Sequence, residues 1–303
     1  MARSMFMALA AVLLALPAQA EPRAILRDGE VWLEPGDGAP ALQVTRDGRA
    51  KSAPVAAPSR SRFAYANLCP AAEKCQPTLV ILALDGARRE LPSITLADDG
   101  PCASVWSLDW VDEERIGLTC HLNPSMLEYV AVDVTTGERL RDIIGLGFAW
   151  SPEGTRLAYI GEYPHFAPPF ARSNRLEIDG DPIYPAASEP EEGPVEAGQP
   201  VLLNYRKIHD FRSGFFWSPD GRRIAFVDRV YDWRGREAGN GEETRERFLL
   251  VVAERGGTAL QHALPPFAKY RIEWREADVL AVIGDDGQAQ LFSLGAGDLH
   301  PAR

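Results

Sequence analysis

The chain has 303 residues, 46% hydrophobic and 25% charged, with 26 Gly, 24 Pro and 4 Cys. That length buries a sizeable core, and the composition excludes wholesale disorder, collagen and coiled coil. A formal charge of -11 argues against non-specific binding to nucleic acid or anionic lipid, so no nucleic-acid partner is expected.

Residues 1–20 read as a signal peptide. Arg3 gives a positive start, Met5 to Pro17 is apolar, and Ala18-Gln19-Ala20 is a small-x-small cleavage site. The mature chain is expected to begin at Glu21 and to form one domain over 21–303, periplasmic or secreted. The apolar run is short for a membrane span, and no later segment reaches about 18 apolar residues, so no transmembrane segment is expected after cleavage. No cysteine lies near the cleavage site, which argues against a lipoprotein.

Residues 24–45 supply three short strands, ending at Gln43-Val44-Thr45. Pro54 to Ser59 leads into Arg62-Phe-Ala-Tyr-Ala66, and Leu79 to Gly86 follows as a further strand and turn. Ser104 to Trp110 leads through Val111 to Arg115 into Ile116-Gly-Leu-Thr119, and Tyr129 to Gly137 follows. Two later segments are near copies: Phe148-Ala-Trp-Ser-Pro-Glu-Gly-Thr-Arg-Leu-Ala-Tyr-Ile160 and Phe215-Phe-Trp-Ser-Pro-Asp-Gly-Arg-Arg-Ile-Ala-Phe-Val227. Each is an apolar strand, a Ser-Pro-acid-Gly turn and a second apolar strand, so each predicts a hairpin. Arg271 to Trp274, then Val279 to Ile283, is a fainter copy, and Gln290 to Leu294 supplies a last strand. Tyr65, Leu118, Tyr159, Phe226 and Val282 hold equivalent places, spaced 53, 41, 67 and 56 residues apart. Repeats of this length with four short strands predict an all-β β-propeller of four-stranded blades. Six blades are favoured, the last shared between the two termini; five is the alternative, and a β-sandwich is the other architecture the turns allow.

The Trp-Ser-Pro-Asp-Gly…Ile-Ala-Phe pattern resembles the WD40-like repeats of TolB-family periplasmic propellers, strongly at 148–160 and 215–227, fairly near 54–66 and faintly at 104–119 and 271–283. The chain looks like a stand-alone relative, because strand-like sequence begins almost at the mature start. The resemblance implies a scaffold of the cell envelope.

Within such blades the turns joining first and second strands are short. The long connections, 68–77, 121–127, 161–174, 186–213 and 230–247, all fall at the opposite end. That end is the expected binding face, with Tyr163, His165, Phe166 and Phe170 in one loop and Tyr231, Trp233 and Arg234 in another. Glu189, Glu191, Glu192 and Glu196 read as a solvated acidic flap. An even cysteine count in an exported chain suggests disulfides, and four cysteines allow three pairings. A zinc site is the rival, but the short C-x2-4-C spacing is missing. Blade geometry favours Cys69–Cys75 and Cys102–Cys120, both at the long-loop end.

Enzyme motifs are mostly missing: the sequence holds no G-x-S-x-G, H-E-x-x-H, P-loop or G-x-G-x-x-G. His121, His165, His209, His262 and His300 are widely spaced. Asp98-Asp99-Gly and Asp285-Asp286-Gly read as turns. Trp106, Trp150, Trp217 and Trp274 recur at or near one place in the repeat, which points to packing between blades before a sugar-stacking platform. No catalytic residue, cofactor or metal site is expected. The leading reading is an exported non-catalytic propeller that binds an envelope protein, peptide or glycan, as a monomer or within a complex. The alternative is a glycosidase or lactonase with carboxylates or Ca²⁺ at the central channel, for which Asp109, Asp112, Glu113 and Glu273 are the candidates.

Overall fold

Turn chemistry sets the hairpins. At Ser151–Gly154 and Ser218–Gly221 the glycine N–H donates to the serine carbonyl, 2.8 Å in each case. Proline occupies the second position, and glycine the fourth, with φ of +67° and +66°. Each serine hydroxyl also accepts a backbone N–H from the returning strand, Arg156 at 3.1 Å and Arg223 at 3.0 Å. The two serines are buried, so the turn is tied to the strands it joins.

The computed structural model describes residues 21–36, 38–68, 77–91, 105–123, 126–161, 174–186, 204–235, 241–257, 259–295 and 299–301. Among these there is no helix, and so none long and apolar enough to cross a membrane. The strands form antiparallel meanders in sequence order. β1 (Arg23–Arg27), β2 (Glu30–Glu34) and β3 (Leu42–Gln43) make a three-stranded sheet. β4 (Val55–Ala56), β5 (Arg62–Asn67), β6 (Thr78–Ala83) and β7 (Arg88–Glu90) make the next. β8 (Val105–Trp110), β9 (Arg115–Asn123), β10 (Met126–Asp133), β11 (Arg139–Trp150), β12 (Leu157–Ile160), β13 (Leu176–Ile178) and β14 (Asp181–Tyr184) form one seven-stranded path. β11 serves twice there. Its first half pairs with β10 as far as Gly145, and its second half pairs with β12 from Leu146.

β15 (Asn204–Phe211) and β16 (Phe216–Trp217) both pair with β17 (Arg223–Gly235). β18 (Gly241–Glu254) and β19 (Leu260–Leu264) follow. β20 (Tyr270–Glu276), β21 (Val279–Gly284), β22 (Ala289–Leu294) and β23 (Leu299–Pro301) close the series. Tyr65, Leu118, Tyr159, Phe226 and Val282 lie on β5, β9, β12, β17 and β21, each the second strand of its group, as the repeat predicts. This is the strand plan of propeller blades. One expectation fails: among the described residues no sheet mixes strands from the two termini. The C-terminal segment completes its own four-stranded sheet, because Leu299–Pro301 returns to pair with Phe292–Leu294.

Second and third strands carry the core, since they are covered on both faces. Phe63, Tyr65, Val80 and Leu82 pack against Val31 and Leu33 of the first sheet. Ala64, Ile81, Ile116, Leu118 and Val130 form the next layer, and Ile224, Phe226, Leu176 and Tyr184 another.

The seams between sheets repeat one device. Trp110 Nε1 donates to the Val55 carbonyl at 3.1 Å, Trp217 to Ala149 at 2.9 Å and Trp274 to Phe216 at 2.8 Å. Each indole reaches from the first strand of one group to the first strand of the group before. An arginine at or just before the start of a second strand reaches the other way. Arg62 donates to the Glu113 carbonyl and Arg156 to that of Gly221. Their guanidiniums lie 5.7 Å from the Trp110 ring and 5.2 Å from Trp217, and Arg115 lies 5.6 Å from Trp150. Trp217 and Trp274 therefore pack between sheets as their spacing predicts, and Trp150 packs on Tyr129 between the two groups of strands that share the seven-stranded sheet. Trp106 does not; Trp110 holds that place on β8.

Candidate binding face

The connection 230–247, expected as a loop, is mostly strand. β17 and β18 run on together to Gly235 and Gly241, and β15 pairs with β17 along Asp228–Gly235, within the expected 186–213 loop. The result is a three-stranded ribbon at the long-connection end of its sheet. Within the 121–127 connection, Asn123 of β9 pairs with Met126 of β10, so these strands also run on.

A buried polar knot holds the ribbon base. Asp228, fully buried, accepts a hydrogen bond from the Tyr184 hydroxyl at 2.8 Å and one from His209 Nδ1 at 2.6 Å. Its second oxygen accepts the Asp210 N–H at 3.1 Å. The Nδ1–H tautomer of His209 makes this contact a donor–acceptor pair. The His209 ring meets Tyr184 edge-on at 5.3 Å. Tyr184 belongs to the preceding sheet, so the knot ties ribbon to neighbour. Burial, then the Asp228 charge, pushes the Tyr184 phenol well above its ordinary value.

Arg229 forms a second hub. It pairs with Asp210 at 3.5 Å and with Glu243 and Glu246 of β18. Desolvation would lower its pKa, but those carboxylates outweigh it and raise it. Its guanidinium sits 4.4 Å from the Tyr231 ring. Tyr231 is 7% exposed, so it belongs to the packed ribbon and not to an open loop. Trp233 and Arg234 lie on β17, in register with Glu243 and Glu242. Tyr163, His165, Phe166 and Phe170 lie outside the described residues, as do Cys69, Cys75, Cys102 and the acidic run from Glu189 to Glu196. Cys120 ends its core run fully buried and disulfide-bonded, with its partner outside the described residues.

Two more features open at the same end. A groove of about 440 Å³ is lined by Lys269, Tyr270, Arg271, Ile283, Gly284, Asp285 and Gly287. On β8, the first strand of its group, Trp106 and Ser107 are exposed near that end, and Asp109 is exposed farther along, toward the 111–114 turn.

Asp109 differs from the other carboxylates of the enzyme alternative. It accepts the Tyr129 hydroxyl at 2.9 Å, and Tyr129 in turn accepts from Trp150 Nε1 at 2.7 Å. The residue as a whole is exposed, but its carboxyl is turned onto the buried Tyr129. That desolvation, opposed by the Tyr129 bond, pushes its pKa up to about 6. Asp112 is bound by Arg115, Glu113 accepts the Ser59 N–H and faces Arg62, and Glu273 is clamped between Arg271 at 3.1 Å and Arg275 at 2.7 Å. Among the described residues no group of three or more His, Cys, Asp or Glu could hold a metal ion.

Sequence reasoning missed the Asp228 knot and the Asp109–Tyr129–Trp150 chain, because each joins residues of different strands. It also missed Lys51, whose buried ammonium meets Asp47 at 2.5 Å, Glu30 at 3.3 Å and the Arg49 carbonyl at 2.8 Å.

Strand order and seams define the class: an all-β chain of propeller-type blades. Neither a family model nor a curated protein matches the chain. Solved structures do. TolB from Acinetobacter baumannii is 14% identical over 95% of this chain and 67% of its own, with a TM-score of 0.35. The β-propeller domain of the Trilobed protease from Pyrococcus furiosus, described as having an open velcro topology, is 12% identical over 90% and 88%, with a TM-score of 0.38. A eukaryotic initiation factor is 12% identical over 91% and 63%, with a TM-score of 0.49. At these values the likenesses bear on no activity, substrate or partner.

Proposed function

We propose that the chain is an exported, non-catalytic six-bladed β-propeller that acts as a binding scaffold in the cell envelope, through the end carrying the ribbon. The six blades are β1–β3, β4–β7, β8 to the first half of β11, the second half of β11 to β14, β15–β19, and β20–β23. The leader 1–20 would direct export and leave 21–303 as one domain, periplasmic or secreted, with cystines Cys69–Cys75 and Cys102–Cys120 stiffening the binding end. The partner would be an envelope protein, peptide or glycan. The carrying observation is the ribbon itself: three paired strands, locked at the base by Asp228 and Arg229, extend one end of one sheet. A rigid projection lowers the ordering cost of binding.

A photoreactive residue replacing Arg245, which is 79% exposed on the ribbon, should give one defined adduct in the native envelope. The same group at Thr155, in a turn at the opposite end, should give none. Adducts from Thr155 and none from Arg245 would reverse the assignment. Peptide mapping of the unreduced mature protein checks the cystine pairs.

A further inference from the structure

β8 contains a side chain that the blade plan does not use. Val105 pairs with Cys120 and Ser107 with Thr119, so Trp106 is the extra residue of a β-bulge. A bulge re-aims a side chain. Here it leaves Trp106 69% exposed, more than any other large hydrophobic side chain among the described residues. The His121 ring lies nearly parallel to it, at 6.2 Å and 20°. His121 follows the buried, disulfide-bonded Cys120, so the backing ring sits on a pinned strand end. Trp110, Trp217 and Trp274 show where an indole goes when it serves packing, and Trp106 takes no such place.

We propose that Trp106 is a saccharide-stacking platform, which takes one pyranose ring of a glycan on its open face. A pyranose offers a face of C–H groups and a rim of hydroxyls. The first suits a flat indole, and the second suits hydrogen-bonding neighbours. The exposed neighbour on β8 is Ser107, a hydroxyl beside Trp106; the Asp109 carboxylate follows two residues farther along the same face, with one oxygen held by Tyr129. A protein-binding hot spot instead clusters apolar anchors in a desolvated pocket. The other exposed large hydrophobics, Leu26, Leu42, Leu84, Leu140 and Leu291, all lie off β8 and β9. The bulge lies at the same end of its sheet as the ribbon does of its own, so this inference deepens the binding reading and names one ligand class for it.

The test titrates the mature protein with cellotetraose, maltotetraose and tetra-N-acetylchitotetraose, with a proline-rich peptide as comparison. Binding is followed by calorimetry and tryptophan fluorescence. At least one saccharide should bind and perturb the fluorescence. Trp106→Ala should weaken it about tenfold or more, Trp106→Phe less, and the buried-seam variant Trp217→Phe should retain it. The melting temperature of Trp106→Ala should match the parent, since the side chain is exposed. No saccharide binding at millimolar concentration, or binding indifferent to Trp106→Ala, overturns the proposal. Binding of the peptide alone reassigns the platform to protein docking. Saccharide binding with failed Arg245 crosslinking would sink the ribbon reading and leave this one standing; the reverse result would do the opposite.

Discussion

Asp109 shows how one exposed strand position acquires a tuned group. Desolvation raises its pKa from 3.8 to about 6, so the folded state binds this proton more tightly than the unfolded chain does. Its contribution to stability is therefore full below pH 3.8 and is lost as pH rises through about 6. Asp109→Asn should remove that slope, as thermal melts across this window would show. An unchanged slope would mean that the carboxyl is not desolvated. Gly117, opposite Asp109, is required for a different reason. A Cβ there would lie 1.7 Å from the Tyr129 hydroxyl. Gly117→Ala must expel Tyr129 and break both bonds of the Asp109–Tyr129–Trp150 chain, at roughly 2–4 kcal/mol in chemical denaturation.

At the scale of elements, the seams and the ribbon base carry separable predictions. Trp217→Phe keeps most apolar contact but loses the bond to Ala149, and should cost about 1 kcal/mol. Asp228→Ala removes the acceptor of the buried Tyr184 hydroxyl and His209 Nδ1 and of the part-buried Asp210 N–H, and should cost about 3 kcal/mol. Equal costs for the two would contradict the knot. The hairpins were legible because Ser-Pro-acid-Gly is local chemistry: turn residues fix φ over four positions without tertiary help. Second strands were legible because burial on both faces leaves continuous apolar runs such as Ile224–Val227. The ribbon was hidden because Asp228–Gly235 and Gly241–Arg247 are rich in charge and read as solvated. Among the described side chains, Arg229 instead pairs across the strands with Glu243 and Glu246, and Arg245 with Asp232. Trp106 was misplaced because a one-residue bulge leaves no mark in spacing, and only the pairing of Val105 and Ser107 reveals it.

For the whole molecule, the seams imply that no sheet stands alone. Every second strand buries one face against a neighbour, and indole and guanidinium cross-links run in both directions. The chain should therefore unfold in one calorimetric transition, and two resolved transitions would show that some seam is weak. The seam inside β11 is unlike the rest. Elsewhere neighbouring groups of strands meet mainly through side chains, which can slide or part; here one strand pairs on both sides of Gly145 and Leu146 and joins two groups in a single seven-stranded sheet. Two successive units are thereby welded into a single plate. Whatever breathing a ligand, a proton or a stretching force provokes must be taken up at the other junctions. The molecule has a built-in stiff sector, with Trp106 on one side of the weld and the ribbon beyond the other.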